Sequence, residues 1–276
     1  FQAVSYEFRT KAGNFLGQRS YETFLVINGV LGTLLIGIVV STFFTGSEFS
    51  LNEMKQVSWE RSARGLEALL NIQNLSLGLA VLFLSRVQAI LYLLNDIDDE
   101  IIGCRARKQL LFNAVPFLAF FLFFIIRLMF LDGFAYDAIS GIVRGEDHKY
   151  WHNFLEMPYV AVIFLLGVIS VLTGIGMGTL SKSIKGIWFS GFGTVLTVMS
   201  LFFMAGFNQT SFYPSTFDLQ SSLTIQNASS SEFTLTVMSY VSLMIPFVLV
   251  YIWIVWRAMN KKKMNKEELT TEDHMY

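Results

Sequence analysis

The sequence predicts an all-α fold, a polytopic bundle of six transmembrane helices, and three observations support this prediction. Of the 276 residues, 53% are hydrophobic and only 15% are charged, with a mean hydropathy of +0.52. Soluble domains carry about a quarter charged residues, so this chain lacks the polar surface that water requires. Six apolar runs are each long enough to cross roughly 30 Å of hydrocarbon. These runs do not alternate polar and apolar residues, as the strands of a membrane barrel do. A helix bundle is therefore the expected architecture.

The predicted spans lie, in chain order, at residues 24–44, 66–94, 110–131, 158–180, 187–207 and 234–256. The first is free of charge, whereas the second is the longest and carries Glu67, Arg86 and several amides. The third contains Arg127, and the fourth begins at Pro158, a residue tolerated in the first turn of a helix. We divide the chain into a cytoplasmic lead-in (1–20), a transmembrane domain (21–257) and a cytoplasmic tail (258–276).

The orientation follows from the lysines and arginines of the connecting segments, which favour the cytoplasmic side. Thirteen of these 20 residues fall before the first span, in the second and fourth connections, and after the last span. Five fall on the opposite side, and Arg86 and Arg127 lie within spans. We therefore expect both ends of the chain on the cytoplasmic side. The sequence begins with Phe1 rather than Met, and residues Phe1–Val4 have the pattern of the last turn of a helix. We therefore expect this sequence to be the C-terminal part of a longer membrane protein. A natural terminus exposed by processing is the alternative.

Charged and polar groups within the spans are the first candidates for function, since an unpaired charge in a bilayer costs at least a few kcal/mol. Glu67 and Arg127 fall near the same membrane surface, so an ion pair between them is geometrically allowed. Arg86 lies in the inner half and can reach the interface or pair with Asp96. Four amides of the second span make it the helix expected to face protein or water: Asn71, Gln73, Asn74 and Gln88.

The three histidines restrict metal and haem chemistry. His148 and His152 have the i, i+4 spacing of a metal pair, with acidic residues close by, but we favour a solvated loop. His274 lies in the polar tail, so no predicted span contains a histidine, the commonest haem ligand. A single Cys104 gives no iron–sulfur cluster or internal disulfide. Gly174 and Gly178 are read as close helix packing rather than a nucleotide loop. The composition also excludes a nucleic-acid binder.

Two stretches carry a family resemblance that extends along the whole chain. The first is Val4–Lys11, and the second runs from Ser222 through Ser231 and continues with Thr234, Leu235 and Met238. With Pro246 and the ending His274-Met275-Tyr276, this sequence resembles subunit II of the cytochrome bd-type quinol oxidases. The sequence is most similar to subunit II sequences from the Bacteroidetes lineage. This similarity implies menaquinol as the electron donor.

The resemblance implies a respiratory complex of the bacterial cytoplasmic membrane that oxidises quinol, reduces O2 to water and builds a proton gradient. Haem b, haem d and the main site of quinol oxidation would belong to subunit I. This chain would hold the last six of nine helices, pack on subunit I, and contain no complete active site. The absence of histidine from the spans agrees with that division of roles.

Two residues acquire a role from the resemblance: Glu7 and Tyr276 match positions that border a proposed cytoplasmic proton route. Glu7 replaces an aspartate of some relatives, which keeps the carboxylate but moves it by one methylene. Subunit II is also thought to provide an oxygen route. Two other interpretations stay open at this point. One is part of a secondary transporter, and the other is a membrane scaffold that only stabilises its partner.

Overall fold

The computed structural model describes residues 2–11, 15–181 and 183–259, and it contains six helices long and apolar enough to cross a membrane. A short helix α1 (Gln2–Phe8) precedes the first span, and α5 (Lys149–Glu156) and α8 (Ile225–Ala228) are short helices outside the spans. The first five spans are α2 (Gln18–Thr45), α3 (Ile72–Asp96), α4 (Glu100–Met129), α6 (Pro158–Thr179) and α7 (Gly186–Gly206). The sixth, Glu232–Met259, consists of α9 (Glu232–Ser242) and α10 (Ile245–Met259). The prediction of an all-α bundle with six spans is confirmed.

Three spans start six or more residues away from the sequence prediction: α2 begins at Gln18 rather than residue 24, and the other two differ for local reasons. Gly65 is left-handed, with φ of 92°, and Leu66–Leu70 forms a 3₁₀ helix instead of the first turns of the second span. The α-helix begins only after Asn71, whose side-chain oxygen accepts a hydrogen bond from the Gln73 amide at 2.9 Å. The third span starts at Glu100 rather than residue 110, because Asp99 caps the helix there and the basic residues that follow, Arg105, Arg107 and Lys108, are good helix formers.

Neighbouring spans pack as antiparallel pairs, and glycines set how closely they approach. The pairs α2–α3, α3–α4 and α6–α7 form the largest interfaces, and α3 also contacts α6 and α7. A Cβ on Gly37 would lie 2.7 Å from the Cα of Gly78, and one on Gly174 would lie 2.5 Å from the carbonyl oxygen of Gly186. Such contacts leave no room for a side chain, so the packing interpretation of Gly174 is confirmed.

The buried core contains an aromatic group that joins two spans to α5. Phe44 of α2 meets the ring of Phe124 of α4 at 6.0 Å and that of Tyr150 at 5.2 Å, measured between ring centroids. The Tyr150 hydroxyl donates to the carbonyl oxygen of Phe44 at 2.9 Å. Burial raises the pKa of this phenol, which therefore stays protonated and keeps its donor. The three rings lock α5 against the ends of α2 and α4.

The three connections at one end of the bundle fold together into a cap, formed by residues 46–71, 130–157 and 207–231. It contains two antiparallel hairpins, β1 (Phe49–Leu51) with β2 (Val57–Trp59) and β3 (Gly133–Tyr136) with β4 (Val143–Glu146). The third connection joins both hairpins. Ser47 donates its amide hydrogen to the Pro214 carbonyl at 3.1 Å, and the Ser211 amide donates to the Phe134 carbonyl at 2.8 Å. The cap therefore ties the ends of the spans together.

The last span lies apart from the other five. It is interrupted at Leu243 and Met244, just before Pro246, which has no amide hydrogen to continue the helical bonds. Neither α9 nor α10 has a buried residue in the described part of the chain. Its ring contact with the bundle joins Trp256 to Trp188, at 5.1 Å between centroids.

Candidate functional site

Two buried amides of the bundle, Gln73 and Asn74, lie on α3 near the cap. Gln73 is 2% exposed, and its Nε2 donates to the carbonyl oxygen of Phe124 on α4 at 3.1 Å. Asn74 accepts from the Thr45 hydroxyl on α2 at 2.8 Å and donates to the Ala68 carbonyl at 3.1 Å. The expectation that α3 turns its polar face toward protein or water is confirmed, because these amides are buried in protein.

A second polar contact lies in the other half of the same helix. Gln88 donates through Nε2 to the hydroxyl oxygens of Ser190 at 2.9 Å and Thr194 at 2.8 Å, both on α7. Ser190 is fully buried. The carbonyl oxygens of Gln88 and Gln73 are also buried and have no hydrogen-bond partner among the described residues. Buried acceptors without a partner cost roughly 1–3 kcal/mol each.

The predicted ion pair between Glu67 and Arg127 is wrong: no such pair occurs in the described part of the chain. Because Gly65 turns the backbone, Glu67 lies in the 3₁₀ helix, and its Oε2 accepts from the Gly65 amide at 3.0 Å. It lines a cavity of about 200 Å³ under the cap, together with Arg61 and Glu48. Arg61 donates two hydrogen bonds to the Glu48 carboxylate, from Nε to Oε2 at 2.5 Å and from Nη2 to Oε1 at 2.6 Å. These hydrogen bonds raise the pKa of Arg61.

The two arginines within the spans point away from the bundle. Arg127 is exposed, with its guanidinium carbon 5.9 Å from the centre of the Phe123 ring. Arg86 is exposed on α3 and forms no ion pair with Asp96 or any other described carboxylate. The ten residues between Arg86 and Asp96 place them about 15 Å apart along a helix, which explains the missing pair.

Glu7 lies on α1, exposed, and forms an ion pair with Lys11 one turn later rather than with Arg9. Helix α1 is held against α2 by a hydrogen bond from the Asn28 side chain to Gln2 at 3.0 Å. Tyr276, its proposed partner in a proton route, lies outside the described residues. The assignment of these two residues to a proton route therefore stays a prediction.

The cap histidines are engaged in contacts that do not suit haem. The His148 ring packs edge-on against Phe130 at 6.0 Å, and His152 Nδ1 lies 3.1 Å from Glu146 Oε1. The second oxygen of Glu146 pairs with Lys149 at 3.1 Å. Partial burial raises the pKa of Glu146, but the hydrogen bonds from His152 and Lys149 outweigh it, so the pKa falls below its ordinary value. No group of three metal-binding side chains occurs within residues 2–11, 15–181 and 183–259. These residues do not fit an axial haem site, so we derive no step through haem in this chain.

An apolar cavity that the sequence analysis did not predict lies between α3, α4, α6 and α7. Its volume is about 60 Å³, and its walls include Ala80, Phe117, Val171 and Leu201. Such a space exceeds the roughly 10–15 Å³ that one water needs, yet apolar cavities stay dry and take up apolar gases such as xenon. The sequence gives no signal for it, because the lining residues have the same types as ordinary core residues.

Together these features define a class: a multi-pass membrane protein with a capped helix bundle, buried amides on one central helix, and histidines outside the described spans. Within this class, residues 1–259 match the family described as cytochrome bd terminal oxidase subunit II, and the chain belongs to that family. Subunit 2 of the cytochrome bd-I ubiquinol oxidase from Escherichia coli strain K12 is 24% identical to it over 288 residues. This match covers 99% of the present chain and 73% of the relative. The same protein from Escherichia coli O157:H7 matches equally.

Membership of this family identifies the complex to which the chain belongs. The chain is a membrane subunit of a bd-type quinol oxidase, an oxidoreductase complex that contains haem, and its partner is subunit I. The interpretation as part of a secondary transporter finds no support in these comparisons. The family match at low identity also agrees with the resemblance predicted from Ser222–Ser231 and the neighbouring residues.

Proposed function

We propose that this chain is the haem-free subunit of a menaquinol oxidase in the bacterial cytoplasmic membrane, packed on a subunit I that carries haems b and d. The positions of the histidines support this division. His148 and His152 lie in the cap and His274 in the tail, so no histidine of the sequence falls in a described span. The excess of lysine and arginine opposite the cap supports a cytoplasmic C-terminus and a cap on the outer surface.

Within that complex, the proposed role of the chain is to provide a route for oxygen, and the apolar cavity carries this proposal. The cavity lies inside the bundle, surrounded by the four helices α3, α4, α6 and α7. A nonpolar molecule gains free energy when it leaves water for such a space. Dioxygen, which is nonpolar, would therefore occupy this space on its way through the bundle, whereas protons and water would not.

The experiment that tests this role narrows the cavity at Ala80, which lines it and is 1% exposed. In the complete complex, Ala80→Val should raise the apparent KM for O2 several-fold, because oxygen delivery slows while the chemistry in subunit I is untouched. Oxygen consumption with quinol, followed over a range of O2 concentrations, measures this change.

Ala114→Val is the matched control, because Ala114 is equally buried on α4 but does not line the cavity. Both substitutions add the same volume to a packed core and share any cost in stability. An unchanged KM in Ala80→Val, or an equal rise in Ala114→Val, would remove the oxygen route from this chain.

We also propose Glu7 and Tyr276 as members of a cytoplasmic proton route. Glu7 is exposed on the side opposite the cap, where the charge distribution places the cytoplasm. Its carboxylate is exposed to solvent and forms an ion pair with Lys11.

A further inference from the structure

An open groove runs between α3 and α4 in the half of the bundle next to the cap. Its volume is about 440 Å³, within the range of small-molecule sites. One face of each helix forms a wall: Leu75, Ser76 and Leu79 from α3, and Ala119, Phe120 and Phe123 from α4. These residues recur at the three- and four-residue intervals that place side chains on one face. Leu75 is 36% exposed and Phe123 41% exposed. The groove therefore opens sideways, toward the space that lipid occupies around a membrane helix.

A single cation stands at the cap end of this groove. Arg127 follows Phe123 by one helical turn, and its guanidinium lies 5.9 Å from the centre of that ring. No carboxylate forms an ion pair with Arg127 in the described ranges. The next acidic residue along the chain, Asp132, accepts a hydrogen bond from the His148 amide instead. Arg127 lies in the last turn of a spanning helix, near the level where lipid headgroups lie, so its charge is available to an anionic headgroup.

We propose that the groove and Arg127 form a binding site for an anionic phospholipid. The headgroup phosphate pairs with the Arg127 guanidinium, whose planar set of donors matches phosphate oxygens. One acyl chain runs along the groove toward the middle of the membrane, against Phe120, Phe123 and Leu79. Charge and shape agree in this assignment, because the cation lies at the headgroup level and the apolar walls extend inward from it.

The test measures phosphatidylglycerol bound to the complete detergent-purified complex by native mass spectrometry, as a function of lipid concentration. Arg127→Gln keeps a polar side chain but removes the charge, and it should weaken binding about fivefold, as expected for one arginine at a lipid surface. Ala119→Phe fills the groove and should reduce binding of phosphatidylglycerol and of phosphatidylcholine alike. Arg86→Gln is the control, since Arg86 is also exposed but lies about two helical turns beyond Leu79, away from the cap end of the groove.

Several results would overturn the assignment. Equal phosphatidylglycerol affinity in wild type and Arg127→Gln would show that the arginine binds no phosphate. Quinone without phospholipid in the organic extract of the complex would show that a quinone occupies the groove. A cross-link from Ala119→Cys to a helix of subunit I would show that this helix covers it. If Ala119→Phe fails to assemble, the comparison of Arg127→Gln with Arg86→Gln still decides. Oxygen consumption, recorded in parallel, reports on the oxidase itself and does not depend on this site.

Discussion

At the scale of single residues, ionisable groups in this chain are placed by backbone geometry more than by their position in the sequence. Glu67 and Arg127 were expected to pair because both fall near one membrane surface. The left-handed Gly65 instead turns Glu67 under the cap, and Arg127 is exposed on α4 beside the ring of Phe123. An apolar run predicts which residues cross the membrane. It does not predict the direction of a side chain, which depends on local turns and on the rotation of the helix about its axis. The buried amides of α3 were predicted, since polar groups in a span need protein or water around them.

Replacing Glu7 by Gln tests the proton route at its exposed end. The substitution keeps the shape of the side chain and removes the group that exchanges protons, so oxygen consumption by the complete complex should slow several-fold. Glu22→Gln is the control, because Glu22 is also an exposed glutamate with one helical neighbour, Gln18, as its hydrogen-bond partner. An unchanged rate in Glu7→Gln would remove this residue from the route.

The lowered pKa of Glu146 predicts that the stability of the cap depends on pH. Because its pKa is lowered in the folded protein, its contribution is present above the ordinary glutamate pKa of about 4.3 and is lost as the pH falls through the folded value. The side chain is 35% exposed, so the contribution should be on the order of 1 kcal/mol or less. Thermal unfolding of the complex should show wild type more stable than Glu146→Gln at pH 7 and the two equal at the acidic limit. A difference that grows as the pH falls would contradict this account.

At the scale of elements, the long helices could be predicted and the cap could not. The spans are recognisable because an apolar run of about 20 residues has few other structures available to it in a membrane. The strands of the cap are three or four residues long, and residues far apart in the chain hold them in place. Ser215, for example, bonds through its hydroxyl to the Phe49 carbonyl. The apolar cavity and the lipid groove were also not predicted, because both are gaps between helices whose side chains have ordinary core composition.

The contact between α2 and α3 gives a prediction at this scale. A Cβ on Gly78 would lie 2.8 Å from Ile38 Cγ1 and 2.9 Å from the Leu34 carbonyl oxygen, which is backbone and cannot move aside. Gly78→Ala should therefore destabilise the protein by about 1–3 kcal/mol, seen as a lower melting temperature of the complex. Gly191→Ala, where a Cβ meets no atom within 4 Å, should keep the wild-type value. Equal melting temperatures for the two variants would show that α2 and α3 do not pack so closely.

At the scale of the whole molecule, the chain is a helical membrane subunit of a bd-type oxidase. Buried polar groups connect its helices, most of its charged groups lie in the cap or near the opposite end of the bundle, and its histidines are outside the described spans. The last span, which has no buried residue in the described part, shows how much surface is left for lipid or another subunit. This organisation agrees with a subunit that supports an oxidase without holding its redox centres. The lead-in (1–20), the tail (258–276) and the side of the membrane that each occupies stay predictions.

The central proposal, that this chain supplies no histidine ligand to haem, is tested most directly by a reduced-minus-oxidised visible spectrum of the complex. The three histidines, His148, His152 and His274, are replaced together by Gln, and the complex is purified through a tag on this chain. Co-purification of subunit I, recorded at the same time, shows that the assembly is intact. We predict bands of haem b and haem d with the wild-type intensity per complex. Loss of either band from an intact complex would contradict the account and place a haem ligand in this chain.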